Sequence, residues 1–170
     1  MAAVQTLISV DYYLAHETKP ASEYEDGVLR QKPLPSWKHG VLQKRIMQLL
    51  DHAALALVSA SEVTVQIREG KFLVPDVIAQ RRDAIQDPYP IEPVDLCVEI
   101  LSPSDRISAA LAKCEEYHAW GVAMTWILDP DERRAWLFRK QHRPEEVPAD
   151  GSLVAEGVSI PLAEVFVALD

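Results

Sequence analysis

The stretch Val94-Asp-Leu-Cys-Val-Glu-Ile-Leu101-Ser-Pro-Ser104 decides the fold. Residues 96–101 are apolar at every position except Glu99. A run this short and this apolar reads as a central strand buried on both faces. Ser102-Pro103 ends it, and a helical pattern then runs to about Trp120. Ser104 is the expected N-cap, and Gly121 is placed to close the helix as a left-handed residue. Ala123-Met-Thr-Trp-Ile-Leu128 is a second apolar strand. One crossover helix between two buried strands favours a mixed-sheet α/β or α+β domain.

Toward the N-terminus, Asp11–Glu17 reads as a short amphipathic helix, stopped before Lys19-Pro20. Asp26-Gly27 is a hairpin turn inside Ser22–Arg30. Pro33 and Pro35 break the chain, and Ser36 caps a long helix predicted to about Leu57. Val41, Leu42, Ile46, Leu49, Leu50, Ala53 and Leu57 form its apolar stripe. From Glu62 to Gln80 the period falls to two, with a turn at Glu69-Gly70-Lys71. The second strand of this region is Phe72–Ala79, and Pro75 within it implies an edge, a bulge or a break in pairing. Beyond the apolar strand at 123–128, Arg133–Phe138 alternates after a turn at Asp129–Glu132. Two weaker strands near Leu153 and Val158 precede a short helix after Pro161. The order is that of an α/β (α+β) domain: one domain over residues 1–170, with a mixed β-sheet flanked by helices.

The chain has 170 residues and a formal charge of -9, with 48% apolar and 25% charged residues. That balance excludes whole-chain disorder. No apolar run reaches the roughly 18 residues that a membrane span needs. Residues 1–7 show neither a basic region nor a long apolar core, so no secretory signal is expected. Cys97 and Cys114 form no zinc spacing, and Cys97 is expected to be a buried thiol. Sparse cysteine points to a reducing cytoplasm. Six of the nine negative charges fall in residues 144–170, so residues 1–143 sum to only -3. The acidity excludes tight non-specific nucleic-acid binding but leaves room for an enzyme whose acids hold a metal.

Asp76, in Val74-Pro75-Asp76, and Glu99, in Cys97-Val-Glu-Ile-Leu101, are the informative acids. An ionised carboxylate in a buried strand is expensive unless it is paired or bound to metal. Two on neighbouring strands make an oxygen-rich site suited to Mg²⁺ or Mn²⁺. The bland alternative pairs Glu99 with a Lys or Arg. Arg106, Lys113 and Tyr117 share one stripe of the following helix, where a lysine can orient water or stabilise developing phosphorane charge. The bland alternative there is a solvated charged face. Trp126 and Trp136 fall in strands and read with Trp120 as core or interface residues, whereas Trp37 is the better substrate contact.

The ordered series resembles the putative restriction endonuclease family of the PD-(D/E)XK nuclease superfamily, a bacterial family rich in cyanobacterial members. Val74-Pro75-Asp76 and Val98-Glu-Ile-Leu-Ser-Pro-Ser104 carry most of the resemblance. Lys113, Tyr117, Gly121-Val122 and Trp126-Ile-Leu-Asp-Pro130 add to it over about residues 6–166. The resemblance implies a restriction-endonuclease-like core, Mg²⁺ (or Mn²⁺) held by Asp76 and Glu99, and hydrolysis of DNA phosphodiesters. It aligns Glu23 with the family's N-terminal acid. It aligns His39 with a helix histidine suited to general-base work or substrate contact. The superfamily lysine, two residues after the second acid, is replaced here by Leu101. Related families supply it from a neighbouring helix, which makes Lys113 the candidate. DNA is expected as a weak or transient partner, through cations near the start of the long helix and in residues 133–143, and a homodimer is expected by analogy. Two alternatives stand beside this reading: a silent nuclease-like fold serving as a protein-interaction module, and a metal-dependent hydrolase of another phosphoester.

Overall fold

The computed structural model describes residues 7–16, 18–53 and 56–170. In chain order the elements are α1 (Val10–Ala15), β1 (Ser22–Glu25), β2 (Val28–Gln31), α2 (Trp37–Ala53), β3 (Leu57–Ser61), β4 (Val65–Arg68), β5 (Lys71–Leu73) and β6 (Val77–Arg81). Then follow β7 (Leu96–Ile100), α3 (Ile107–Trp120), β8 (Met124–Asp129), β9 (Arg134–Arg139), β10 (Glu145–Glu146), β11 (Ser152–Ala155), β12 (Val158–Pro161) and α4 (Leu162–Phe166).

Strand β7 is buried at all five positions and sits inside a six-stranded sheet of order β10-β9-β8-β7-β6-β3. Its pairing with β8 is parallel, through the α3 crossover, and every other pair in that sheet is antiparallel. Helix α2 lays Leu42, Ile46 and Leu50 on the face built from Val77, Ala79, Leu96, Val98 and Ile100. Leu153, Ile160, Val165 and Phe166 complete that core. Helix α3 covers the opposite face, where Tyr117 meets Ile78 and Cys97, and Cys114 meets Ile127 and Phe138. Both cysteines are free and buried. A second sheet of order β2-β1-β5-β4 holds the N-terminal hairpin, and β11-β12 form a separate hairpin. The mixed sheet flanked by helices is the expected class.

Several local readings need correction. Helix α2 ends at Ala53, and Leu57 opens the edge strand β3 instead of the helix's last turn. The stripe misled because Leu57 sits with Ser59 on the buried face of a half-buried strand, and both periods place an apolar residue there. Ser104 does not cap α3; Arg106 stands at the N-cap without a side-chain bond. Asp105 and Ser102 close a local turn instead, the Ser102 N–H donating to Asp105 Oδ2 at 2.7 Å. The predicted strand Phe72–Ala79 is two strands in two sheets, and Val74-Pro75-Asp76 is the break that Pro75 demanded. Ser36 does cap α2, its Oγ accepting the His39 N–H at 3.1 Å. The predicted end of the first helix at Glu17, and the reading of residues 1–6, lie outside the described residues.

Gly121 closes α3 with φ at 136°, and a Cβ there would stand 2.5 Å from Pro93 Cγ. Gly121→Ala therefore combines backbone strain with overpacking. It is expected to lower stability by about 1–3 kcal/mol in urea unfolding.

Candidate active site

The register of β6 on β7 places Val77 opposite Val98 and Ile78 opposite Cys97. One further step sets Asp76 opposite Glu99. Opposed residues on antiparallel strands project to the same face, with Cβ atoms about 4.5–5.5 Å apart. Ile78 and Cys97, two positions further along, pack against α3, so the two acids share the face that α3 covers. Asp76 and Glu99 line one cavity of about 450 Å³ with Glu23, Lys32, His39 and Lys113.

Each acid is held by a lysine. Lys32 Nζ donates to Asp76 Oδ1 at 2.6 Å. Lys113 Nζ lies 2.9 Å from Glu99 Oε1 and 2.6 Å from Glu23 Oε1. Both ammonium groups also donate to the Val74 carbonyl, at 2.9 and 3.2 Å. The Val74 N–H donates to Glu23 Oε1 at 3.1 Å. The strand break thus finds partners for its peptide groups in the site's own side chains. Asp76 Oδ2 accepts the Ile100 N–H at 2.6 Å, and Tyr117 Oη donates to Glu99 Oε1 at 2.7 Å. Gln43 of α2 donates to the Asp76 carbonyl at 2.8 Å. His39 Nε2 is buried without a hydrogen bond among the described residues, 3.5 Å from Asp76 Oδ1, while its Nδ1 lies 3.4 Å from Ser102 Oγ.

Burial pushes the Asp76 carboxyl up, but His39 and Lys32, with Lys113 beyond them, outweigh it and hold Asp76 well below the usual carboxylate range. Burial pushes Glu99 up, and Asp76 adds to that rise against the opposing pull of Lys113. Burial alone lowers the Lys113 ammonium, yet Glu99, Glu23 and Asp76 raise it above its ordinary value. Burial and the Glu99 charge raise Tyr117 too, so its hydroxyl is a firm donor. Opposed shifts on two neighbouring acids are the pattern that functional sites favour.

The structure brings together all five residues singled out in the sequence: Glu23 from β1, His39 from α2, Asp76 before β6, Glu99 from β7 and Lys113 from α3. Leu101, at the superfamily lysine position, is buried against Cys114 and Ile127. Sequence reasoning missed Lys32 altogether, because it follows the hairpin and nothing local marks it. It placed Tyr117 on the Lys113 stripe without seeing its bond to Glu99. Arg106 lines the cavity from an exposed position, and Trp37 is 87% exposed and does not line it. Trp126 is fully buried, while Trp136 is half-buried and stacks on Arg134.

Among the described residues, no group of three or more His, Cys, Asp or Glu is already arranged to hold a metal ion. The donor chemistry nonetheless fits a hard divalent cation. Asp76, Glu99 and Glu23 present carboxylate oxygens to one cavity, and their three negative charges exceed the two lysines by one. The orphaned His39 nitrogen beside Asp76 Oδ1 is a buried lone pair or N–H without a partner. Glu99 Oε2 has no hydrogen bond among the described residues, so one carboxylate oxygen stands open.

A family model described as Uma2, putative restriction endonuclease, matches residues 10–166. The chain belongs to this family. A crystal structure of a putative nuclease belonging to DUF820 from Anabaena variabilis ATCC 29413 shares the fold, with a TM-score of 0.82 at 24% identity. The match covers 96% of this chain and 99% of that one. No curated protein matches the chain.

Lys113→Met leaves Glu23 and Glu99 without their shared ammonium. The expected cost is about 3–5 kcal/mol in urea unfolding at pH 7. Glu99 lies above its ordinary 4.5 when folded and rises further in this variant. A raised folded-state carboxyl favours folding most where it is protonated. The deficit should therefore shrink as pH falls from 7 toward the ordinary glutamate value. A deficit that grows on acidification would contradict this electrostatic account.

Proposed function

We propose that this chain is a metal-dependent DNA endonuclease, acting as one restriction-endonuclease-like domain over residues 1–170. The observation that carries the reading is the convergence of Asp76, Glu99 and Lys113 on one cavity, although they come from three elements. Asp76 and Glu99 would hold Mg²⁺ or Mn²⁺. Such an ion, when bound, supplies Lewis-acid charge neutralisation at a phosphate and lowers the pKa of a bound water. Lys113 then acts in place of the superfamily lysine: its ammonium orients an attacking water or stabilises the charge that develops on the phosphate. Glu23 keeps Lys113 in position with its 2.6 Å contact, and Tyr117 fixes one Glu99 oxygen. His39 stands at Asp76 as a proton acceptor or substrate contact. DNA binds weakly or transiently, and pairing of two copies would let both strands be cut.

A second reading is a silent nuclease-like fold used as an interaction module. Leu101 at the lysine position favours it, as does the prior neutralisation of both acids by Lys32 and Lys113. Hydrolysis of another phosphoester is the third.

Purified protein is expected to nick or linearise supercoiled plasmid with Mg²⁺ or Mn²⁺ and not with EDTA. Asp76→Ala and Glu99→Ala should each reduce cleavage to background while circular dichroism stays folded. Cleavage retained in both variants would sink the assignment. No cleavage together with no divalent-ion binding in calorimetry would favour the interaction module, and turnover of nucleotides or simple phosphoesters alone would favour the third reading.

A further inference from the structure

Of the two cavity lysines that the nuclease reading leaves unused, Lys71 pairs with Glu25 and Glu116, and only Lys32 touches a proposed metal ligand. Its side chain is 12% exposed, and its ammonium sits on Asp76 Oδ1 at 2.6 Å. The other Asp76 oxygen is committed to the Ile100 N–H at 2.6 Å. Oδ1 is therefore the Asp76 oxygen left for a cation, and Lys32 already holds it. A divalent ion and an ammonium on the same oxygen repel each other at close range.

We propose that Lys32 is a resident counter-cation that competes with the divalent metal for Asp76 Oδ1 and sets the metal affinity of the site. The inference rests on the metal-dependent reading above. The two lysines differ in a way that singles out Lys32. Lys113 is anchored on two carboxylates, at 2.6 and 2.9 Å, so it keeps Glu23 when Glu99 engages a metal. Lys32 has one close carboxylate, and a second, Glu62 Oε1, stands 3.8 Å away in the same cavity. Glu62 is 42% exposed at its side chain, and its own N–H donates to the Asp76 carbonyl at 3.2 Å. It lies beside Asp76 and offers the displaced ammonium a partly hydrated partner. Lys32 thus keeps a buried carboxylate neutralised when no metal is bound and has a place to go when one arrives. The site holds its shape in either state, at a cost in metal affinity.

The test compares full-length wild type, Lys32→Met and Lys32→Gln by calorimetric titration with MnCl₂ and by thermal unfolding with and without Mn²⁺. Arg30→Gln, which removes a rim cation that does not touch Asp76, controls for general charge. Lys32→Met and Lys32→Gln are expected to bind Mn²⁺ at least tenfold more tightly than wild type, with Arg30→Gln within about twofold of it. Both Lys32 variants should melt below wild type without metal and gain more from Mn²⁺ than wild type does. Lys32→Arg should stay near wild type. Unchanged or weaker Mn²⁺ binding in the Lys32 variants, or equal tightening in Arg30→Gln, overturns the inference while the metal reading stands. Absence of Mn²⁺ binding in wild type and variants, or binding that persists in Asp76→Asn, overturns the metal reading and this inference with it.

Discussion

The Ile100 N–H donating to Asp76 Oδ2 at 2.6 Å is the contact on which the site depends. It takes the last peptide of β7 and ties it to the carboxylate that precedes β6. The β6–β7 ladder pairs Val77 to Ala79 with Val98 to Leu96, and this side-chain bond extends the pairing one step past the ladder's end. Asp76 is thereby fixed where Pro75 has removed a backbone donor. The same bond holds Asp76 opposite Glu99, so both acids face α3. A hydrogen bond to an ionised acceptor in a buried setting contributes about 1.5–3 kcal/mol. Here it also fixes the geometry from which every other contact in the cavity follows.

Burial of Asp76 and Glu99 beside the partly buried Glu23 in one cavity would be prohibitive without compensation. Lys32 and Lys113 supply it, and they do so around one shared acceptor, the Val74 carbonyl. The break between β5 and β6 is therefore an organising feature. It ends one sheet, begins another, and exposes the peptide groups on which both ammonium ions and Glu23 converge. The hairpin sheet brings Glu23 and Lys32, the main sheet brings Asp76 and Glu99, and α3 brings Lys113 and Tyr117. The site exists only where these three units meet.

That origin explains what the sequence shows and what it hides. Asp76 and Glu99 are legible because each is a charge set in an apolar strand, a conflict that local patterning exposes. Lys113 is legible from its helical spacing to Tyr117 once the strand before it is placed. Lys32 is invisible because its partner is 44 residues away and its own neighbours are ordinary loop residues. Elements followed the same rule. The central strand and its crossover helix declare themselves by period and composition. The boundary near residue 57 does not, since Leu57 satisfies the helical stripe and the edge strand alike. Ser104 had the right chemistry for a cap, but the Ser102–Asp105 turn carries the chain past it before α3 begins.

The acidic segment 144–170 acquires a role from the fold. Glu145 and Glu146 pair with Arg139 and Arg134, and Asp170 pairs with Arg133. These contacts are exposed, so each adds little to stability and weakens further with salt. Their effect is on the field. The cationic stretch 133–143 looked from sequence like a surface for phosphates, yet three of its arginines already face carboxylates. Lys38, at the start of α2, is likewise paired, with Asp131 at 2.7 Å. Arg106 has no ion-pair partner among the described residues and lies on the cavity rim. Long-range attraction of a polyanion is consequently reduced at these four paired positions, while Lys44, Lys140 and Arg143 stay exposed without an ion-pair partner among the described residues. At the cavity, Arg106 adds an uncommitted charge beside Lys32 and Lys113, so an anion there meets the field of the site itself as well as that of the outer surface.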